Sequence, residues 1–353
     1  MSRKRLKAKS LLSSLPQELK EAIGLNKTSE KKAEDTSTHE EGDERPTKRR
    51  KMDSLLPQKS IKYDATGLAP FYGNEAQVPR HLLKYYAQRQ RLFSRYAEGC
   101  LLDEEGWYSV TPELIADQIA ERCRCDTIID AFCGVGGNAI AFAKTCERVI
   151  AIDNSPVRLA LARHNATIYG VVDRIEFILA DFVSFARTLA TSSTVGRVDV
   201  VFLSPPWGGI DYQTLSTPNP TLGPRAILSA PDVDDKGQSL QKEQGATPEE
   251  RAPQYSLASL KPLHGRELFS LVRRITPHVA FYLPRNQDLQ EVSDLVTRST
   301  DVLPNDGPSQ SSSSPSPREG EIVEVEEEWM GSKLKALTCY FGGLATGQEY
   351  LWN

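Results

Sequence analysis

Between Thr127 and Leu203 the chain alternates short apolar runs with amphipathic stretches in one unbroken series. Thr127 to Ala131, Arg148 to Ile152, Ile175 to Leu179 and Asp199 to Leu203 read as strands. Asn138 to Thr145, Pro156 to Tyr169 and Phe182 to Ala190 read as the helices between them. Strands of that length in strict β-α order imply a parallel sheet with right-handed crossovers, and so an α/β fold. The pattern resumes with a helix over Gly265 to Arg274, a fifth strand over His278 to Leu283 and a helix over Asp288 to Thr297. Glu321 to Glu328 and Leu334 to Phe341, joined by a turn at Gly331, are expected to pair as an antiparallel hairpin at the sheet edge. Upstream, Pro79 to Tyr96 reads as an amphipathic helix, with Leu82, Leu83, Tyr86, Leu92 and Phe93 among Lys and Arg. A second helix is expected to run to about Arg122, with Thr111 as N-cap and Pro112 in its first turn.

Only 39% of the 353 residues are hydrophobic, which is low for a wholly packed chain. The shortfall is concentrated. Residues 1–60 are polar, charged and basic, and are expected to be a disordered tail. Residues 61–122 form an N-terminal helical extension, and 123–353 the α/β domain. Low-complexity insertions interrupt that domain near 214–254 and 303–320, and both are expected to be disordered. Within the tail, Arg45-Pro46-Thr47-Lys48-Arg49-Arg50-Lys51 reads as a nuclear import signal or a nucleic-acid patch. There is no long apolar run to cross a membrane and no apolar core behind the charged start, which argues against a secretory leader. The six cysteines form no CxxC pair, so they read as free thiols, with no metal site expected.

The first strand leads into Asp130-Ala131-Phe132-Cys133-Gly134-Val135-Gly136-Gly137-Asn138. Glycines between a strand and a helix let the backbone turn tightly and approach a ligand. The spacing is ambiguous, because Gly134, Gly136 and Ala139 with Asp153 also satisfy the loose dinucleotide fingerprint. Acids close successive strands. Asp130 could meet the ammonium of a methionine, Asp153 could hold ribose hydroxyls, and Asp181 could accept from an adenine amine. Each acid alone is better read as a helix cap or a solvated turn. Together at the carboxyl edge of the sheet they favour S-adenosyl-L-methionine over a nicotinamide cofactor.

The fourth strand ends in Ser204-Pro205-Pro206-Trp207-Gly208-Gly209. Two prolines end the ladder and stiffen the backbone, so the indole becomes a flat shelf on which a base can stack. An exocyclic nucleobase amine needs no strong base to accept a methyl group. It needs an acceptor that turns its lone pair toward the methyl carbon, and the Pro205 carbonyl and Ser204 hydroxyl suit that task. The alternative is a rigid turn over the core with no ligand.

Several strings resemble the trimethylguanosine synthase family of RNA cap methyltransferases. They are Val201-Phe-Leu-Ser-Pro-Pro-Trp-Gly-Gly-Ile-Asp-Tyr212, Ile129-Asp-Ala-Phe-Cys-Gly-Val-Gly-Gly-Asn138, Lys84-Tyr-Tyr-Ala-Gln-Arg-Gln-Arg-Leu-Phe-Ser-Arg-Tyr96 and Gly106-Trp-Tyr-Ser-Val-Thr-Pro-Glu113. The resemblance covers about residues 63 to 213 and resumes at Phe281-Tyr-Leu-Pro-Arg-Asn286. It implies a Rossmann-like class I methyltransferase fold that converts the 7-methylguanosine cap of small nuclear and nucleolar RNAs to the 2,2,7-trimethyl form. It further implies that Trp207 stacks on the cap base and that Ser204 and Pro205 face the 2-amino group. Lys84 and Arg285 would hold the cap phosphates, with Tyr212 and Asn286 as further cap contacts. Asp130, Gly134, Gly136, Asp153 and Asp181 would line the cofactor, Phe182 would stack on adenine, and Phe93, Ser109 and Thr111 would close over it. A nuclear or nucleolar monomer is expected, with small-ribonucleoprotein core proteins as candidate partners of its tail. Trp107 and Tyr108 read instead as packing residues. The rivals are an amino-group methyltransferase acting on an internal guanine or adenine, a cap-binding module without turnover, and a nicotinamide dehydrogenase.

Overall fold

The computed structural model describes residues 54–192, 197–208, 254–297 and 321–346. Most of the basic tail, nearly all of the 214–254 stretch, the whole 303–320 stretch and Tyr212 lie outside these residues.

Seven strands make one sheet: β1 (Thr127–Asp130), β2 (Arg148–Asp153), β3 (Ile175–Leu179), β4 (Val200–Leu203), β5 (His278–Pro284), β6 (Val323–Met330) and β7 (Lys333–Phe341). Their order across the sheet is β3-β2-β1-β4-β5-β7-β6. The first five strands run parallel, while β7 pairs antiparallel with both β5 and β6. This is the Rossmann-like class I arrangement, with the expected hairpin outermost and Gly331 at its turn in a left-handed conformation, φ +63°.

The central strands β1, β2, β4 and β5 are largely apolar on both sides because both faces are covered. Ile128, Val149, Ala151, Val200, Phe202, Ala280 and Tyr282 belong to one core. Their chain neighbours Ile129, Ile150, Ile152, Val201, Leu203, Val279 and Phe281 belong to the other. That two-residue period puts the second set on the opposite face. Helices Glu113–Arg122, Gly137–Thr145 and Pro156–Ile168 share the first core. Helices Phe182–Ala190 and Gly265–Arg273 and the Leu289–Thr297 helix share the second.

The extension differs from its sequence reading. Order begins earlier than expected, with Leu56 buried and a 3₁₀ turn over Gln58–Tyr63. The single helix expected over Pro79 to Tyr96 is broken into α1 (Leu83–Tyr86), α2 (Arg89–Leu92) and flanking 3₁₀ turns. Tertiary packing overrides local propensity here: Tyr72, Tyr86 and Tyr96 pack around the buried Trp107 indole, with ring centroids 5.5 to 6.1 Å away. Trp107 opens no ligand site, and it lies on a short helix that periodicity did not suggest, α3 (Glu104–Ser109), capped by Asp103. Helix α4 (Glu113–Arg122) has Pro112, not Thr111, at its cap, because the Thr111 hydroxyl is taken by the Asn138 amide at 3.1 Å.

Two adjacent buried residues of the Pro156–Ile168 helix fasten the extension to the domain. His164 accepts the Ala65 N–H at Nδ1 (3.1 Å) and meets the Gly99 carbonyl at Nε2 (3.0 Å). Asn165 accepts the Leu101 N–H and donates to the carbonyls of Leu101 and Val135. Val135 lies within the glycine loop, so one amide ties the extension to that loop.

Candidate active site

The topology opens a crevice where the sheet grows away from its middle in both directions, beyond the carboxyl ends of β1 and β4. Asp130 is the last residue of β1, and Asp153 the last of β2. The loop between β1 and the next helix is held by Asp153. Its Oδ2 accepts the Gly134 N–H (3.0 Å) and its Oδ1 the Ser155 N–H (2.8 Å). Gly134 and Gly136 both take left-handed backbone angles, φ +52° and +90°. A Cβ at Gly136 would lie 3.0 Å from the Ala162 Cβ, so the loop can sit against the Pro156–Ile168 helix only without a side chain there.

Asp130 is fully buried, and neither carboxylate oxygen has a hydrogen-bond partner of normal geometry. Burial pushes its carboxyl up to about 7. The nearby Phe132 and Ala139 amides oppose the shift, and the Asp153 charge adds to it. A buried acid without a partner is costly unless a cation or donor arrives. The ammonium of a methionine moiety is such a group, so the residues present fit S-adenosylmethionine. Among the described residues no group of three His, Cys, Asp or Glu could hold a metal ion.

Asp181 caps the Phe182–Ala190 helix, and both the Ser184 N–H and its hydroxyl donate to Oδ2. Capping and cofactor contact are compatible, because one oxygen carries both bonds. Phe182 is buried edge-on to Phe132, with centroids 5.3 Å apart. Thr111 is buried on Asn138, beside the loop. Phe93 is buried against Tyr169, and Ser109 is exposed at the end of α3.

The Ser204-to-Trp207 turn stands on β4 beside β1 and is fastened from both sides. The Ser204 hydroxyl donates to the Phe132 carbonyl (3.5 Å), which links the turn to the glycine loop. The Pro206 carbonyl accepts the Lys261 N–H (3.2 Å), and the Trp207 carbonyl accepts the Tyr255 hydroxyl (3.0 Å). The half-buried Trp207 indole lies on Tyr282 of β5, with centroids 5.4 Å apart and planes tilted by 31°. Tyr255 and Tyr282 therefore set the shelf, a role that no sequence pattern assigns to either. Tyr282 falls inside one of the family-like strings, whereas nothing local marks Tyr255, at the end of a polar stretch.

Arg285 and Asn286 follow β5 directly and line an open hollow of about 620 Å³. Lys84 is exposed on α1, with its ammonium 4.8 Å from the Tyr85 ring centroid.

Residues 125–217 and 245–343, more than half the chain, match the family described as RNA cap guanine-N2 methyltransferase. A trimethylguanosine synthase of Schizosaccharomyces pombe is 37% identical over 221 residues, covering 61% of this chain and 76% of that protein. The trimethylguanosine synthase of Saccharomyces cerevisiae is 30% identical over 220 residues, 60% of this chain and 57% of its own length. A more distant relative, the 23S rRNA (uracil(1939)-C(5))-methyltransferase RlmD of Shewanella amazonensis, is 29% identical over 149 residues, 40% of this chain and 32% of that protein.

Proposed function

The chain belongs to the RNA cap guanine-N2 methyltransferase family, and from that premise we propose that it methylates the 2-amino group of a 7-methylguanosine cap to give the 2,2,7-trimethyl form. Bound S-adenosylmethionine supplies an electrophilic methyl group. Asp130 receives the cofactor's ammonium, Asp153 its ribose and Asp181 its adenine amine, with Phe182 beside the ring. Phe93, Ser109 and Thr111 belong to the wall that the extension builds over that pocket.

Trp207 holds the acceptor. A 7-methylated guanine is a cation, and tryptophan is the side chain with the strongest attraction for a cation over its face. A neutral guanine loses that attraction, which accounts for a requirement for prior methylation. No N–H donates to the Pro205 carbonyl among the described residues. In this reading it accepts an N–H of the cap amine, with the Ser204 hydroxyl beside it. The two direct the nitrogen lone pair at the methyl carbon, and positioning supplies much of the rate. Arg285 and Lys84 pair with the cap phosphates, and Asn286 and Tyr212 complete the contacts.

The observation that carries this reading is the indole packed on Tyr282, joined through Ser204 to the loop that follows the buried Asp130. Mass analysis of a 7-methylguanosine-capped dinucleotide after incubation with enzyme and cofactor tests it. Two successive methyl additions are expected, and none on the unmethylated cap; equal labelling of both refutes it. The RNAs served are small nuclear and nucleolar RNAs, and the basic segment 45–51 directs the protein to the nucleus. Neutralising that segment should leave catalysis intact and shift the protein to the cytoplasm; unchanged nuclear retention counts against it.

A further inference from the structure

We propose that the base of the β6–β7 hairpin, together with Arg91, binds the phosphates of the nucleotides that follow the cap, as a second and sequence-independent RNA subsite. The inference rests on the cap reading and extends it from the cap to the RNA chain.

β7 begins at Lys333, at the same end of the sheet where β5 finishes, because the two run antiparallel with Pro284 opposite Ala336. Continuing that register by one step brings Lys335 opposite Arg285. On its other side Lys335 is the residue that the register shift of the hairpin leaves without a β6 partner, between Leu334 opposite Trp329 and Ala336 opposite Glu328. Lys335 is half-buried, and the charges that bear on it are those of Lys333, Arg285 and Arg91, all positive. Burial first, and these cations second, pull its ammonium below the ordinary lysine value.

The neighbouring strand is rich in glutamate, yet its acids are engaged elsewhere. Glu324 pairs with Arg122 and accepts the Thr346 N–H. Glu326 accepts from Gln118 and faces Arg122, Glu327 accepts from the Trp329 indole, and Glu328 accepts from the Thr338 hydroxyl. Among the described residues none of Arg91, Arg285, Lys333 and Lys335 takes part in an ion pair. Three cations gathered around a half-buried lysine repel it and one another until an anion joins them. A run of phosphates is the anion whose charge repeats along a chain. Arg285 sits three residues past Tyr282, which supports the Trp207 shelf. An RNA leaving a cap stacked on that shelf therefore meets this cluster after the cap phosphates.

The test compares the full chain with the Arg91→Ala, Lys333→Ala, Lys335→Met triple variant. Affinity and methylation are measured with a capped oligoribonucleotide and with a capped dinucleotide across a salt series. Three lost phosphate contacts on a single strand should lower the salt slope for the oligoribonucleotide by about 2. The wild-type advantage should then shrink roughly 20-fold between about 50 and 200 mM salt. Dinucleotide affinity should change by less than about twofold, since its phosphates stop at the cap. Lys333→Ala alone, at an exposed position, should lower the slope by about 0.7, which guards against misfolding of the triple variant. An unchanged slope, or equal loss on both substrates by either variant, overturns the proposal. So does weakened binding of an acidic peptide with RNA binding unaltered, which would point to a protein partner. A wild-type chain that shows the steep slope but methylates neither capped substrate would sink the cap reading and leave this one standing.

Discussion

Replacing Asp130 with asparagine should stabilise the ligand-free protein in alkali relative to acid while weakening its cofactor affinity. The carboxyl is fully buried, and its folded value of about 7 stands well above the ordinary 3.8. A tenfold change in proton affinity corresponds to about 1.36 kcal/mol, so ionising this group costs the native state about 4 kcal/mol. Because the folded value is the raised one, the native state holds the proton more tightly than the unfolded chain between the two values. The group's favourable contribution is therefore complete below about pH 4 and lost as pH rises through about 7. An amide has no such proton to lose. Its own burial adds a fixed offset of about 1–3 kcal/mol for unmet hydrogen bonds, which cancels when two pH values are compared. Urea unfolding of both proteins at about pH 5 and about pH 8 should show the variant-minus-wild-type difference moving by about 3 kcal/mol in the variant's favour. Calorimetric titration with S-adenosylmethionine should show wild-type affinity falling below about pH 7, and weaker binding by Asp130→Asn at every pH. A difference identical at the two pH values would refute the claim that this acid is held uncompensated for its ligand.

Trp207→Ala should abolish cap methylation and leave cofactor affinity nearly unchanged, since a base stack is worth about 1–3 kcal/mol and also sets the amine's aim; paired kinetics and calorimetry decide this. Gly136→Ala forces a side chain into a left-handed backbone and against Ala162, so a loss of about 1–3 kcal/mol in urea unfolding is expected, together with weaker cofactor binding. His164→Ala strands the Ala65 N–H and the Gly99 carbonyl, each at a cost of about 1–3 kcal/mol, read as lowered stability and earlier proteolysis of the extension. Burial also depresses the His164 imidazole, so its contribution is present above the ordinary value of 6.5 and lost as pH falls through the lower folded one. The acid side of the wild-type stability curve should therefore be steeper than that of the variant.

The sheet was legible because β1, β2, β4 and β5 are largely apolar on both sides and punctuated by glycine, proline and acid at their ends. Ile175–Leu179 falls where the apolar run falls, and the other strands shift by a residue or two. The Phe182–Ala190 helix was equally plain. The extension was not legible. Leu82, Tyr86, Leu92 and Tyr96 follow a helical spacing, yet the aromatic cluster on Trp107 bends the backbone between them. Thr111 before Pro112 looks like a cap until Asn138, distant in sequence, takes its hydroxyl. At the site the acids and the Ser204-to-Trp207 turn were visible as motifs. Tyr255 and Asn165 were not, because each acts on a backbone group far along the chain and leaves no local spacing. Nothing in the sequence marked Lys333 and Lys335; they gained meaning only once β7 was placed against β5.

β6 is the outermost strand on its side, and an outer strand with free backbone groups is a template on which another chain can add. Here the strand reads Val-Glu-Val-Glu-Glu-Glu-Trp-Met, with a register shift between Glu328 and Trp329. The interrupted ladder discourages a second copy from zipping on. The hairpin can thus stand open beside a long polyanion without becoming a seed for aggregation.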